Sequence, residues 1–290
     1  MRRSVRRTIV IILPAALILA TLFLWLQDRD PSLSQIREAG VIRIGYSVEA
    51  PYAFLKPDGE VTGESPEVAR RIVERLGIPR VEWRYAKFSS LIDELEAGRI
   101  DVIAAGMFIT PERARRVRFS EPTFHVRQAL LVCKGNPLDL HSYTQALKTP
   151  GTRIAVLSGS VEEQMLRRMN YPMERLVAVP DARSGSVAVE SGRADGLALS
   201  SPTLHRIVTE KRNDRIEIAD PFVQPLPAIS GRLGYGAFVF RKKDEVFQAA
   251  WNEAQKDFIG SPDHLQILKS FGFTEAEVPG SVTTAEVLSP

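Results

Sequence analysis

The 290-residue sequence predicts an α/β protein of two lobes facing each other across a cleft, preceded by one N-terminal membrane-spanning helix. Three observations carry that expectation. Short β-like stretches alternate with amphipathic helical stretches. The pattern stops near residue 120 and starts again near 153. Two strand-like segments, 120–135 and 235–243, are left over as crossings between the halves. Alternation at this spacing implies right-handed βαβ units on mainly parallel sheets, and two crossings between two lobes make a hinge.

The elements follow in order. Arg2, Arg3, Arg6 and Arg7 precede an apolar run from Ile9 to Leu26, broken only by Thr21. Eighteen helical residues span roughly 27 Å, close to the thickness of a bilayer's hydrocarbon. Basic residues before the run and Gln27-Asp28-Arg29-Asp30 after it put the N-terminus in the cytoplasm and the rest outside. No small-x-small cleavage site follows Ala20, so residues 1–30 read as an uncleaved signal anchor in preference to a cleaved signal peptide. Residues 31–40 read as a linker and helix stopped by Gly40, and 41–46 as a strand. Residues 65–78 place Val68, Ile72, Val73 and Leu76 on one helical face, with Gly77 as the cap. A strand at 81–85, a helix at 88–98 and a strand at 101–106 follow.

The second half repeats the plan: strand 153–157, helix Val161–Met169, strand 175–179, helix 183–191, strand 195–199. EAGRIDVIAAG (96–106) and ESGRADGLALS (190–200) echo each other, each with a Gly stop, an Arg, and an Asp opening an apolar strand. After 243 the chain reads as helical and is expected to return to the first lobe. The expected division is 31–123 with 238–290 for lobe 1, and 124–237 for lobe 2.

Composition narrows the function. The chain is 44% hydrophobic and 25% charged, an ordinary globular balance. Its net charge of +3 comes from the four N-terminal arginines; without them the balance is −1, which removes support for nucleic-acid binding. The single Cys133 allows no intrachain disulfide or thiolate metal site, and His125, His141, His205 and His264 lack ligand spacing, so no metal and no cofactor is expected. No phosphate-binding loop, zinc-protease helix or G-x-S-x-G elbow is present, and no residue is assigned as catalytic. One enzymatic alternative uses Glu49 as a general acid, but Arg113 nearby works against the raised pKa that role needs.

In open α/β sheets ligands bind beyond the carboxyl ends of strands. That places Tyr46 to Tyr52, Gly106 to Phe108, Ser158 to Val161, and Ser200 at the cleft. Tyr52, Phe88 and Phe108, if their faces converge, favour a cation by roughly 0.5–2 kcal/mol each. Glu49 would neutralise that cation, and the Arg113 fork would take a carboxylate in two parallel bonds. The implied ligand is a small zwitterion with a bulky or delocalised cation. Plainer roles stay open: Phe88 as core, Tyr52 as loop packing, Arg113 in an ion pair with Glu112, Glu49 as an exposed carboxylate.

GMFITPERARRVRFSEP (106–122) resembles the T-x-E-R-x-x-x-V-x-F-S-x-P segment of the family 3 extracellular solute-binding proteins, and TGESPEVARRIVERLG (62–77) resembles their first helix. The resemblance covers about residues 33–285. EAPYAF (49–54), AAGMFITPER (104–113), KGNPLDLHSY (134–143) and LSGSVEE (157–163) are more similar to the ectoine- and hydroxyectoine-binding members than to the amino-acid binders. The resemblance implies a type II periplasmic-binding-protein fold, a monomer without enzymatic activity, and ABC permease subunits as partners. The implied ligand is ectoine or hydroxyectoine. It implies Glu49 at the ligand's amidinium, Arg113 at its carboxylate, and Tyr52, Phe88, Gly106, Phe108, Ser160 and Val161 around it. Amino-acid binders usually place an Asp where this chain has Ser200, and a Thr is common where Val161 stands, which leaves the backbone amides of Ser160 and Val161 as donors. The alternatives are a polar amino-acid-binding protein of an importer and a membrane-tethered ligand sensor. The expected location is the outer face of the cytoplasmic membrane or the periplasm, anchored through residues 9–26.

Overall fold

The computed structural model describes residues 30–211, 214–226 and 232–289. In chain order the first lobe begins with α1 (Ser32–Ala39), β1 (Val41–Tyr46), the short pair β2 (Phe54–Leu55) and β3 (Val61–Thr62), α2 (Glu64–Arg75) and β4 (Arg80–Tyr85). A 3-10 turn over Phe88–Ser90 leads into α3 (Leu91–Glu96), β5 (Val102–Ile103), α4 (Pro111–Ala114) and β6 (Val117–Phe119). The chain crosses at β7 (Phe124–His125) into β8 (Gln128–Cys133), α5 (Tyr143–Lys148), β9 (Ile154–Leu157), α6 (Val161–Arg168), β10 (Leu176–Val179), α7 (Ala182–Glu190), β11 (Gly196–Ser200), α8 (Ser201–Lys211) and β12 (Ile216–Ile218). It returns through β13 (Tyr235–Gly236) to β14 (Val239–Arg241), α9 (Glu245–Lys256), α10 (Pro262–Ser270) and α11 (Thr284–Leu288).

Two five-stranded mixed sheets result, ordered β4-β1-β5-β14-β6 and β10-β9-β11-β8-β12. Each has a parallel half, as the alternation predicts, and an antiparallel edge supplied by the crossings. β8 runs antiparallel to β11, and β14 runs antiparallel to β5 and β6. Segment 120–135 is therefore more than a crossing, because its second half is an interior strand of the second sheet. The crossings pair as β7 against β13, with His125 stacked on Tyr235 at 4.1 Å between ring centroids.

The sequence echo has a physical cause. Gly98 and Gly192 each end a helix in the left-handed region, at φ 70° and 68°. Asp101 then accepts the backbone N–H of Arg43 at 3.0 Å, and Asp195 accepts that of Arg153 at 2.7 Å. Both lobes use one device to register a strand against its neighbour. The outer core of the first lobe gathers Ile42, Ile44, Val68, Ile72, Phe247 and Trp251, so α9 does pack on this lobe. A further buried cluster is continuous across the cleft, from Leu91 and Ile103 to Leu131, Leu157 and Leu197.

The N-terminal membrane-spanning helix needs correction. No helix among the described residues is long and apolar enough to cross a membrane. Residues 9–26, on which that expectation rested, lie outside the described residues. The transmembrane element, the membrane as a partner and the anchored location are withdrawn with it.

Candidate functional site

Helix α4, four residues long, has its start written in its sequence. Thr110 caps it, its Oγ1 accepting the Arg113 N–H at 3.2 Å, and Pro111 sits at the first helical position, where no N–H is needed. This turn aims Arg113 into the cleft. The guanidinium is buried and donates to the carbonyl oxygens of Phe108 at 2.8 Å and Gly159 at 2.9 Å, one from each lobe. It also lies 5.5 Å over the Phe88 ring. Five donors minus two leave three for a ligand. Burial pushes its pKa down to about 10, so it stays charged at neutral pH.

Opposite it are two carboxyls. Glu49 lies in the turn after β1, which its own backbone bridge to Ala53 closes. Burial pushes Glu49 up to about 7, helped by the nearby Glu162, against a hydrogen bond from Thr203 and the charge of Arg113. Glu162 sits in the first turn of α6 and is also pushed to about 7 by burial, against its own backbone N–H, Ser160 and Arg113. Ser160 caps α6 by accepting the Glu163 N–H at 3.2 Å, while Glu163 accepts the Gly159 N–H at 2.7 Å. Of the first N–H groups of α6, that of Glu163 goes to Ser160 and that of Glu162 to its own carboxyl, which leaves that of Val161 suited to an anion.

One cavity is lined by Glu49, Tyr52, Phe88, Gly106, Phe108, Arg113, Ser160 and Val161, together with Glu162, Leu199 and Ser200. All eight residues singled out in the sequence are thus brought to one place, six from the first lobe and two from the second. Sequence reading missed Glu162 and Leu199 as lining residues; it placed Ser200 at the cleft but gave it no binding role beyond the lack of an acid. One signal for Glu162 existed. In Ser160-Val161-Glu162-Glu163 the capping geometry needs only the second glutamate, which leaves the first with no local duty.

Ser200 has a different partner from the one expected at that position. Tyr52 Oη donates to Ser200 Oγ at 2.9 Å, Ser200 Oγ donates to Thr203 Oγ1 at 3.2 Å, and Thr203 Oγ1 donates to Glu49 Oε1 at 3.0 Å. This chain crosses between the lobes twice. Gly106 must be glycine, since at φ 62° an added Cβ would overlap the Tyr52 ring. The three aromatics do not form an open box. The Tyr52 ring packs on Phe124 at 5.0 Å and Phe273 at 5.7 Å, and the Phe88 ring lies under Arg113.

The comparisons with known proteins agree with a cleft of this kind. The profile of the bacterial extracellular solute-binding proteins, family 3, matches residues 42–274. A probable amino-acid ABC transporter periplasmic-binding protein (y4tE) of Sinorhizobium fredii strain NGR234 is 34% identical over 265 residues, covering 89% of this chain and 86% of that protein. The ABC transporter glutamine-binding protein GlnH of Bacillus subtilis strain 168 is 25% identical over 215 residues, covering 73% of this chain and 77% of that one. The crystal structure of EhuB in complex with hydroxyectoine superposes with a TM-score of 0.81 at 30% identity, over 89% of this chain and 98% of that chain. The interlobe cleft takes a small polar solute, and the protein binds it outside the cytoplasm without catalysing a reaction. The chain belongs to the bacterial extracellular solute-binding proteins, family 3.

Proposed function

We propose that the chain is the polar amino-acid-binding protein of an ABC importer, with lobe 1 (31–123 and 238–290) and lobe 2 (124–237) closing on the ligand and presenting it to the permease subunits. One observation carries this reading. A buried guanidinium, Arg113, stands across the cavity from buried carboxyls, the complement of a molecule bearing a carboxylate and an ammonium. The ligand carboxylate meets Arg113 and the start of α6, and its ammonium meets Glu49. The likeness to the two amino-acid ABC transporter proteins supports the same ligand class.

A second reading, ectoine or hydroxyectoine, has its own support in the aromatic lining of Tyr52, Phe88 and Phe108 and in the likeness to EhuB. It ranks second because a delocalised cation needs open aromatic faces, and two of the three rings already pack against Arg113, Phe124 and Phe273. Melting shifts of the full chain with a panel of amino acids, ectoine, hydroxyectoine and glycine betaine separate the readings. Stabilisation by an amino acid alone supports the first, by ectoine alone the second, and by none of them overturns both.

A further inference from the structure

Thr203 lies outside the cavity yet is tied to it. It stands in the first turn of α8, is fully buried, and does not line the cavity. A buried threonine hydroxyl inside a helix is expected to return to a carbonyl one turn back. Thr203 Oγ1 donates instead to Glu49 Oε1, a carboxyl on the opposite lobe, at 3.0 Å. That hydroxyl has one proton to give, and it accepts the proton of Ser200 at 3.2 Å, which accepts in turn from Tyr52 at 2.9 Å. Every member of this chain is more than nine-tenths buried. A run of hydroxyls that ends on a carboxylate has a direction, because an ionised carboxyl only accepts, and each bond polarises the next.

We propose that Thr203 is a positioning residue for cation recognition: from the second lobe, its hydroxyl fixes the Glu49 carboxyl where a ligand's positive group meets it. This rests on Glu49 meeting the ligand's cation, which both readings above share. The charges around Glu49 leave the hydroxyl a deciding part. On the cavity side stand Glu162 of α6, Arg113 of α4 and the neutral Tyr52, and the two charges oppose each other. On the outer side Glu49 borders a second pocket, walled by Asp181 and Arg183 at the start of α7 and by the Arg206–Glu210 ion pair of α8. Those four outer charges sum to zero. Burial pushes Glu49 up to about 7 and Glu162 adds to the rise, while the Thr203 hydrogen bond is the largest effect opposing it, ahead of Arg113. Removing the hydroxyl therefore pushes Glu49 further up, leaves less of it ionised at neutral pH, and frees its carboxyl to turn.

The test is calorimetric titration of the full chain with glutamine, arginine and ectoine at pH 6 and pH 8, together with an NMR titration of the glutamate carboxyl carbons. It is run on the wild type, Thr203→Val and Thr203→Ser. Valine keeps the branching and removes the hydroxyl, whereas serine keeps the hydroxyl. Whichever compound the wild type binds should bind Thr203→Val about tenfold more weakly at pH 6, the loss shrinking to about threefold or less at pH 8, where more of Glu49 is ionised. Thr203→Ser should stay within about threefold of the wild type at both pH values, and Glu49 should titrate at higher pH in the valine variant alone. Wild-type affinity in Thr203→Val, or an equal loss at both pH values with the Glu49 midpoint unmoved, means that Thr203 serves packing only. Either result overturns the inference and leaves the reading of the cleft standing. A wild type that binds none of the three compounds overturns that reading, and cation positioning with it. If Thr203→Val melts below the assay temperature, Thr203→Cys, whose thiol is a weak donor, takes its place with the same expected results.

Discussion

On the first lobe's wall the polar groups are long side chains held by other side chains and by carbonyls. Arg113 is pinned by Phe108 and Gly159 over the Phe88 ring, and Tyr52 is wedged among Phe108, Phe124 and Phe273. On the second lobe's wall the donors are the first turn of α6, the end of β11 and the start of α8, all backbone or short side chains, with Glu162 as the one long acidic group. The first wall carries fixed charge on a rigid aromatic base. The second wall supplies backbone and short side-chain groups that bond across to the first, Ser200 accepting from Tyr52 and Thr203 donating to Glu49. Loss of the charged group on the first wall should therefore cost the most affinity, and changes to neutral groups on either wall should cost less.

The largest effect should come from Arg113→Ala. Removing one partner of a buried charge pair costs about 2–5 kcal/mol, so calorimetry should find affinity lowered by at least about thirtyfold. Arg113→Lys should recover little, because an ammonium cannot hold two carbonyls and a carboxylate with one planar fork. Gly106→Ala comes next: strain at a left-handed position plus the clash with Tyr52 should destabilise by about 1–3 kcal/mol, read as a lower denaturation midpoint together with weaker binding. A wild-type stability with this variant would mean that the Tyr52 ring is not fixed as described.

The pH response follows from the raised carboxyls. Folded-state pKa values near 7 for Glu49, Glu64 and Glu162, above the ordinary 4.5, mean that the native state binds more protons than the unfolded chain. Their contribution is fully present below the ordinary carboxyl range and is lost as pH rises towards and through 7. The ligand-free melting temperature should therefore fall between pH 5 and pH 8, by an amount a melting series measures. Affinity for a ligand that needs ionised carboxylates should run the other way and weaken on acidification below about 7. The smallest effect belongs to Tyr52→Phe, which removes the hydroxyl bound to Ser200 and should cost about 0.5–1.5 kcal/mol in binding. An effect as large as that of Arg113→Ala would show that the cross-cleft hydrogen-bond chain, and not the charges, governs closure.

The same contrast explains what was legible in the sequence. First-lobe features are written as local punctuation: Thr-Pro-Glu-Arg sets α4, Gly106 permits Tyr52, and Gly98 with Asp101 starts β5. The alternation of helices and strands also yields both parallel half-sheets, since each unit is local. The antiparallel strands β8 and β14 were harder, because a crossing segment and an interior strand share one apolar pattern and only long-range pairing separates them. The open aromatic box failed for a similar reason. Phe273 lies far along the chain from Tyr52, and nothing in the local sequence shows that it and Phe124 occupy that ring. Glu162 escaped notice because a glutamate in the first turn of a helix is ordinary in sequence, and its neighbour Glu163 already serves the cap.

The most direct measurement is a crystal structure of the full chain with the amino acid that binds most tightly. We expect the ligand carboxylate within hydrogen-bonding distance of the Arg113 guanidinium and the start of α6, with its ammonium against Glu49. A ligand with its carboxylate turned away from Arg113, or one seated outside the cavity between the walls, would contradict the account.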